Sequence, residues 1–143
     1  MTDNKQTLAI LGGTGDLGTG LARRWAKAGH RVIIGSRSAE SGARAAAALQ
    51  EAVPGADAEG MDNAAAAASG EIVVLTVPYA NHQPMLEVAK AHVQGKIFVD
   101  VTVPLMPPKV RTVHLPEAGS AAKAAQLFLG EEVRVVSAFQ NIA

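Results

Sequence analysis

The chain contains no cysteine. That excludes disulfides, thiolate catalysis and any zinc or iron–sulfur centre held by Cys. It has no excess of charge of one sign: 13 basic and 13 acidic residues give a formal net charge of +0. Nothing in that balance favours nucleic acid or an anionic membrane as a partner. No apolar stretch approaches the ~20 residues of a membrane span. The start, Met1 to Gln6, is polar and has neither the basic region nor the cleavage region of a signal peptide. A cytoplasmic setting and no membrane partner are expected. Constellations for side-chain chemistry are also lacking: there is no His-x-x-His, no paired carboxylates and no Ser/His/Asp arrangement. No metal site and no catalytic acid or base is therefore expected.

What is present fits one globular domain. The 143 residues fall at the common domain size, and 48% of them are hydrophobic. Strand-like and helix-like runs alternate. Strands are expected at Thr7 to Leu11, Arg31 to Gly35, Ala56 to Met61, Ile72 to Val77, Lys96 to Val101 and Val133 to Ser137. Helices are expected at Asp16 to Ala28, Ser38 to Val53, Asp62 to Ala68, within Pro78 to Val93, and at Ser120 to Leu129. Pro84 falls in the first turn of the fourth helix, where its missing N–H costs nothing. Gly29 and Gly130 close their helices. Pro104 to Pro116 is Pro-rich and irregular. The Ala-rich tracts lie where Ala is the best helix former and read as tightly packed helices. This alternation implies an α/β fold with a doubly wound parallel sheet in the order 3-2-1-4-5-6.

The most informative stretch joins the first strand to the first helix. Gly13, Gly15 and Gly18 stand at G-x-G-x-x-G spacing between an apolar run and an Ala/Leu-rich run. In that context the spacing is a dinucleotide-binding fingerprint. Gly13 is expected to make the tight turn, Gly15 to admit a pyrophosphate to the backbone, and Gly18 to let the helix pack closely. A structural glycine turn is the alternative reading. Ligand in such a fold binds at the carboxyl ends of the strands. That points to Gly35-Ser36-Arg37, to Thr76-Val77-Pro78-Tyr79 and to Ser137-Ala138-Phe139-Gln140.

The end of the second strand separates NAD from NADP. NAD-type sites carry an acid there for the ribose 2′-hydroxyl. Here no acid follows until Glu40, and Arg37 stands ready for a 2′-phosphate, with Ser36 and Thr14 as hydroxyl donors. NADP is the expected nucleotide; an ordinary solvated Arg is the alternative.

Leu11 to Leu21, Gly35-Ser-Arg37, Val74-Leu-Thr-Val-Pro78 and Val135 to Asn141, in that order, resemble the NADPH-dependent reductases of the deazaflavin coenzyme F420. The resemblance runs over the whole chain. It implies hydride transfer between NADP(H) and coenzyme F420. It also implies that Thr14, Ser36 and Arg37 hold the 2′-phosphate, and that Gly13 to Leu17, with Asp16 among them, hold the pyrophosphate. Thr76, Val77 and Pro78 would flank the nicotinamide ribose, and Ser137 and Ala138 would lie near both rings. The family often carries a Lys near position 41; this chain has Ser41 there, with Arg44 one turn later as a substitute. Family members continue into a largely helical half that completes the deazaflavin pocket and a homodimer. That half is absent from residues 1–143, so a non-catalytic NADP-binding module, or a reductase of a flavin, ketone or imine, stays open beside the main reading.

Among other polar residues, His82 is expected to face the ligand crevice, or else to supply polarity at a helix start. His30 reads as a turn residue, and His92 and His114 show no ligand spacing. Asp100 reads as a loop hydrogen-bonding group. The single tyrosine, Tyr79, is placed to stack on a cofactor or to cover the crevice mouth.

Overall fold

Alternating apolar runs and Ala-rich runs resolve into strands and helices in strict succession. The computed structural model describes residues 4–105, 112–113 and 115–142. The elements are β1 (Thr7–Leu11), α1 (Asp16–Lys27), β2 (Arg31–Ser36), α2 (Ala39–Ala52), β3 (Ala58–Asp62), α3 (Asn63–Ser69), β4 (Ile72–Leu75), α4 (His82–Ala89), β5 (Ile97–Asp100), α5 (Ala121–Leu129) and β6 (Arg134–Ser137). The strands form one sheet in the order β3-β2-β1-β4-β5-β6. Every pairing is parallel. This is the doubly wound order expected from the sequence. The turn between β1 and α1 lies beside the point where the strand order reverses.

Two apolar clusters cover the two faces. Ile10, Val32 and Ile34 pack against Ala22 and Ala26 of α1 and Leu49 of α2. Ala9, Leu11, Ile33, Val73, Leu75 and Phe98 pack against α3, α4 and α5 through Ala66, Ala67, Leu86, Ala89, Ala125 and Leu129. Neighbours in β1 and β2 alternate between the clusters, because successive strand side chains point to opposite faces.

Local chemistry fixes the helix ends. Ser38, Asp62 and Ser120 each accept a hydrogen bond from the backbone N–H three residues on, at 3.1, 2.9 and 3.1 Å. Each cap satisfies an N–H that has no partner within the helix. Gly130, at φ 98°, ends α5 in a conformation that other residues avoid.

Several boundaries differ from expectation. The fourth strand ends at Leu75, two residues short of Val77. There Thr76 N makes a last backbone bond to Leu11 O at 3.1 Å, and Thr76 Oγ1 also donates toward Leu11 O and Gly12 O, at 3.0 and 3.2 Å. The helix expected within Pro78 to Val93 is in three pieces: a 3₁₀ turn at Tyr79–Asn81, then α4, then a second 3₁₀ turn at Lys90–His92. β3 runs one residue past Met61, to Asp62. Its Gly60 packs directly on the backbone of Gly42 in α2, where a Cβ would overlap the Gly42 carbonyl. Part of the Pro104 to Pro116 stretch, including His114, lies outside the described residues.

Candidate active site: a nucleotide cleft at the strand ends

The turn after β1 is built by four glycines, not three. Gly12, at φ 68°, makes the reversal that was expected of Gly13. Any Cβ on Gly12 would collide with the Val77 side chain. Gly13 has a packing role instead: a Cβ there would sit 2.9 Å from Ile10 O. Gly18 lets α1 close onto this turn, since its Cβ would lie 2.8 Å from Gly13 Cα. Gly15 differs from all of these. It has nothing within 4 Å of the Cβ position. Its missing side chain leaves open space and relieves no contact.

Gly15 is also the N-cap of α1, and no side chain caps that end. The first helical bond runs from Thr19 N to Gly15 O at 2.9 Å. The N–H groups of Asp16, Leu17 and Gly18 are therefore left without an acceptor inside the helix. α2, α3 and α5 spend a side chain on this problem. α1 leaves its donors and its positive dipole end to an anion from outside.

A cleft of about 480 Å³ opens at this point. Its lining brings together Thr14, Gly15, Ser36, Arg37, Thr76, Val77 and Pro78 from the residues expected at the site, and Ser41 beside them. Ser36 is buried, and Arg37 is exposed with no ion pair among the described residues. The nearest acid along the chain, Glu40, is occupied by Arg44 Nη1 at 2.9 Å. The same guanidinium reaches Ser41 Oγ at 3.4 Å. Asp62, across from Ser36 in the register of β2 and β3, is turned to capping α3, its Oδ1 accepting from Ala65 N at 2.9 Å.

Other expected site residues are placed elsewhere. Gly13 and Gly18 are buried beneath the turn. Asp16 and Leu17 line a separate groove with Arg24, Phe139 and Ile142 and are outside the lining of this cleft. Ser137 and Ala138 lie at the end of β6, two strands beyond β4 and outside the lining of the cleft.

The cleft also holds residues that sequence reasoning missed. Asn63 is buried, and its Oδ1 accepts from Gly12 N at 3.1 Å. It pins the glycine turn from 51 residues away. Next to the Asp62 cap it reads as a helix-start residue, and nothing local signals the longer contact. Asn81, Pro84 and Met85 line the far wall. Phe139, at the strand exit named from the sequence, lies outside this cleft; it takes φ 69° and sets its ring edge-on to Trp25, with centroids 6.2 Å apart.

His82 does not face this cleft. It is 4% exposed, and its Nε2 lies 2.7 Å from Asp100 Oδ2. Tyr79 stacks on the His82 ring at 5.9 Å between centroids. Its ring is thus spent on a protein partner, although its backbone follows Pro78 at the cleft. His30 accepts from Gln6 N through Nδ1 at 3.0 Å, a turn role as expected. Among the described residues no helix is long and apolar enough to cross a membrane.

A family model described as NADP oxidoreductase, coenzyme F420-dependent, matches residues 7–104. The chain belongs to that family. Curated relatives include the F420-dependent NADP reductase of Methanothermobacter thermautotrophicus, 42% identical over 143 residues, which cover 95% of this chain and 61% of the relative. The reductase of the same description from Methanocaldococcus jannaschii is 41% identical over 142 residues, covering 94% and 63%. The chain therefore spans about three-fifths of the length of the reductases it matches. Among solved structures, a candidate F420-dependent NADP reductase from Arthrobacter sp. FB24 superposes with a TM-score of 0.72 at 29% identity, covering 92% of this chain and 61% of that one. The lactate dehydrogenase of Eimeria maxima shares the fold, with a TM-score of 0.66 at 14% identity, covering 95% of this chain and 44% of that one.

Proposed function

We propose that residues 1–143 form a single NADP(H)-binding domain of an oxidoreductase that moves hydride between NADP(H) and coenzyme F420. The observation that carries this reading is the end of β2. Ser36 and Arg37 face the same cleft as the uncapped start of α1 and the open side of Gly15. A dinucleotide with a 2′-phosphate has two anionic groups, and this cleft has two places suited to them. Arg37, Ser36 and Thr14 hold the 2′-phosphate through charge-assisted and hydroxyl hydrogen bonds. The turn from Gly13 to Leu17 holds the pyrophosphate at the start of α1. Thr76, Val77 and Pro78 orient the nicotinamide ribose, and Ser137 and Ala138 stand nearer the reacting rings.

The bound nicotinamide and deazaflavin supply the hydride chemistry. The chain's own residues bind and orient. Transfer from ring carbon to ring carbon depends on proximity and alignment, not on a positioned side-chain acid. This agrees with a His82–Asp100 pair turned away from the cleft. A reductase of a ketone or imine would need a proton donor facing the substrate. A cytoplasmic setting and a homodimer of a longer form belong to the same reading, through the family resemblance.

Nucleotide titration tests the binding half. NADPH is expected to bind at least about tenfold more tightly than NADH, a gap of about 1.4 kcal/mol. Equal affinities would remove the reading. A single-turnover absorbance assay with NADPH and oxidised coenzyme F420 tests the transfer half, and persistent absence of transfer in a form as long as the curated relatives would refute it.

A further inference from the structure

Asp100 ends β5 and is 1% exposed, and four hydrogen bonds converge on it. Its Oδ2 lies 2.7 Å from His82 Nε2. Its Oδ1 accepts from Thr102 N at 2.9 Å. Its backbone oxygen accepts from Gln140 Nε2 at 3.0 Å and from Ala138 N at 3.3 Å. The partners come from three separate exits of the sheet, after β4, β5 and β6.

Two of those exits carry residues assigned above to the nicotinamide end. The segment after β4 is held at one end by Thr76 on the carbonyls of Leu11 and Gly12. His82 holds its other end, with Tyr79 stacked on the imidazole just after Pro78. The segment after β6 is held by Ala138 N, and by Gln140, whose Nε2 also reaches Ser137 Oγ at 2.8 Å. A buried carboxylate is costly unless it is paired and its lone pairs are satisfied. This one is satisfied by His82 and Thr102 N, which join the exits of β4 and β5, while the exit of β6 is tied to the backbone oxygen of the same residue. If stability alone were at stake, an apolar pair would serve as well.

We propose that Asp100 and His82 are positioning residues for the nicotinamide half of NADP(H). They hold Val77-Pro78 and Ser137-Ala138 in register with each other and do not touch the nucleotide. The proposal rests on the NADP(H) reading above. It predicts that the two ends of the cleft respond separately. The β2 exit with Arg37 and the β5 exit with Asp100 are three inter-strand spacings apart, about 14 Å.

The test titrates the whole chain with two ligands: NADPH, and adenosine 2′,5′-bisphosphate, which carries the 2′-phosphate and lacks the nicotinamide. Asp100→Asn keeps the size and removes the charge that pairs with His82. It is expected to weaken NADPH about tenfold while changing the bisphosphate by no more than about twofold. Gln140→Ala removes one tie from an exposed side chain and is expected to weaken NADPH about threefold, again sparing the bisphosphate. If Asp100→Asn loses both ligands through misfolding, Gln140→Ala decides: loss confined to NADPH upholds the proposal, and equal loss or no loss overturns it. Unchanged NADPH affinity in both variants overturns it and leaves the nucleotide reading intact. Failure of the wild-type chain to bind either ligand removes the nucleotide reading itself, and the proposal with it.

Discussion

β2 is buried at five of its six positions, whereas β6 is exposed at three of its four. The first lies inside the β1–β2–β3 half of the sheet, between α1 and α2 on one face and the larger apolar cluster on the other. The second is a sheet edge whose Val136 is 45% exposed. The well-covered half is held by apolar packing and by glycine contacts between backbones. The exposed β6 edge ends in polar ties, with Gln140 Nε2 and Ala138 N both on the Asp100 backbone oxygen. Burial supplies most of the free energy of folding, so β2 contributes more of it than β6. The residues proposed to bind the nucleotide lie at strand exits on both halves.

The sharpest way to break that contrast is to shorten one apolar side chain in each half. Ile33 is fully buried in β2. Ile33→Ala is expected to cost about 2–5 kcal/mol and to lower Tm by roughly 10 °C. Val136→Ala is expected to cost less than about 1 kcal/mol. Paired urea or thermal unfolding curves check both values. Equal losses would show that the edge half is as tightly packed as the centre.

A second pair separates glycines that relieve packing from the glycine that leaves room. Gly60→Ala drives a methyl group into the Gly42 backbone, which belongs to a helix and cannot rotate away. It is expected to cost about 3 kcal/mol, the upper end for overpacking. Gly15→Ala meets no atom within 4 Å, and its φ of −79° suits any residue. Its Tm is expected to stay within about 2 °C of wild type, while NADPH affinity falls because the methyl group fills the approach to the backbone N–H groups. Calorimetric titration beside a thermal scan reads both effects. Retained NADPH affinity in Gly15→Ala would place the pyrophosphate elsewhere.

The third prediction concerns the β2 exit alone. Arg37→Ala removes an exposed side chain that has no ion pair among the described residues, so stability is expected to hold. NADPH affinity is expected to fall by about 10–100-fold through the loss of charge-assisted bonds worth about 1.5–3 kcal/mol. NADH affinity should barely change. A parallel loss for NADH would mean that Arg37 serves the shared part of the nucleotide.

These contrasts also show what was legible in the sequence. The glycine turn and the Ser36-Arg37 pair act over a few residues, so spacing alone exposes them. The strand order followed from strand–helix alternation and the handedness of crossovers. What escaped depends on partners that only the finished sheet brings together. Asn63 reaches Gly12, and Gly42 meets Gly60, across neighbouring elements. His82 and Asp100 are 18 residues apart on separate strand exits, and an isolated His or Asp in a sequence gives no sign of the other. The reversal fell on Gly12, where the φ of 68° and the Val77 side chain from β4's exit both call for glycine.

The smallest expected effect lies at the opposite, amino-terminal rim of the sheet. Lys5 Nζ reaches Asp57 Oδ2 at 2.7 Å, and both side chains are nearly half exposed. The Lys5 hydrogen bond holds the Asp57 carboxyl below its ordinary value, helped by the charges of Lys5 and Arg31 and opposed by slight burial. A carboxyl lowered in the folded state stabilises the fold above the unfolded-state value, near pH 4, and that contribution disappears as pH falls through the lower folded-state value. Exposed pairs of this kind contribute about 0–1 kcal/mol. Lys5→Ala is therefore expected to cost less than about 1 kcal/mol at pH 7 and low salt. The difference from wild type should shrink in high salt, and should vanish as pH falls below about 4. Urea unfolding of the two proteins from pH 7 to pH 3 measures it. A difference that does not shrink as pH falls from 7 to 3 would show that Lys5 acts through something other than Asp57. NADPH affinity should be the same in both proteins at pH 7, because this rim lies at the far end of the strands from the cleft.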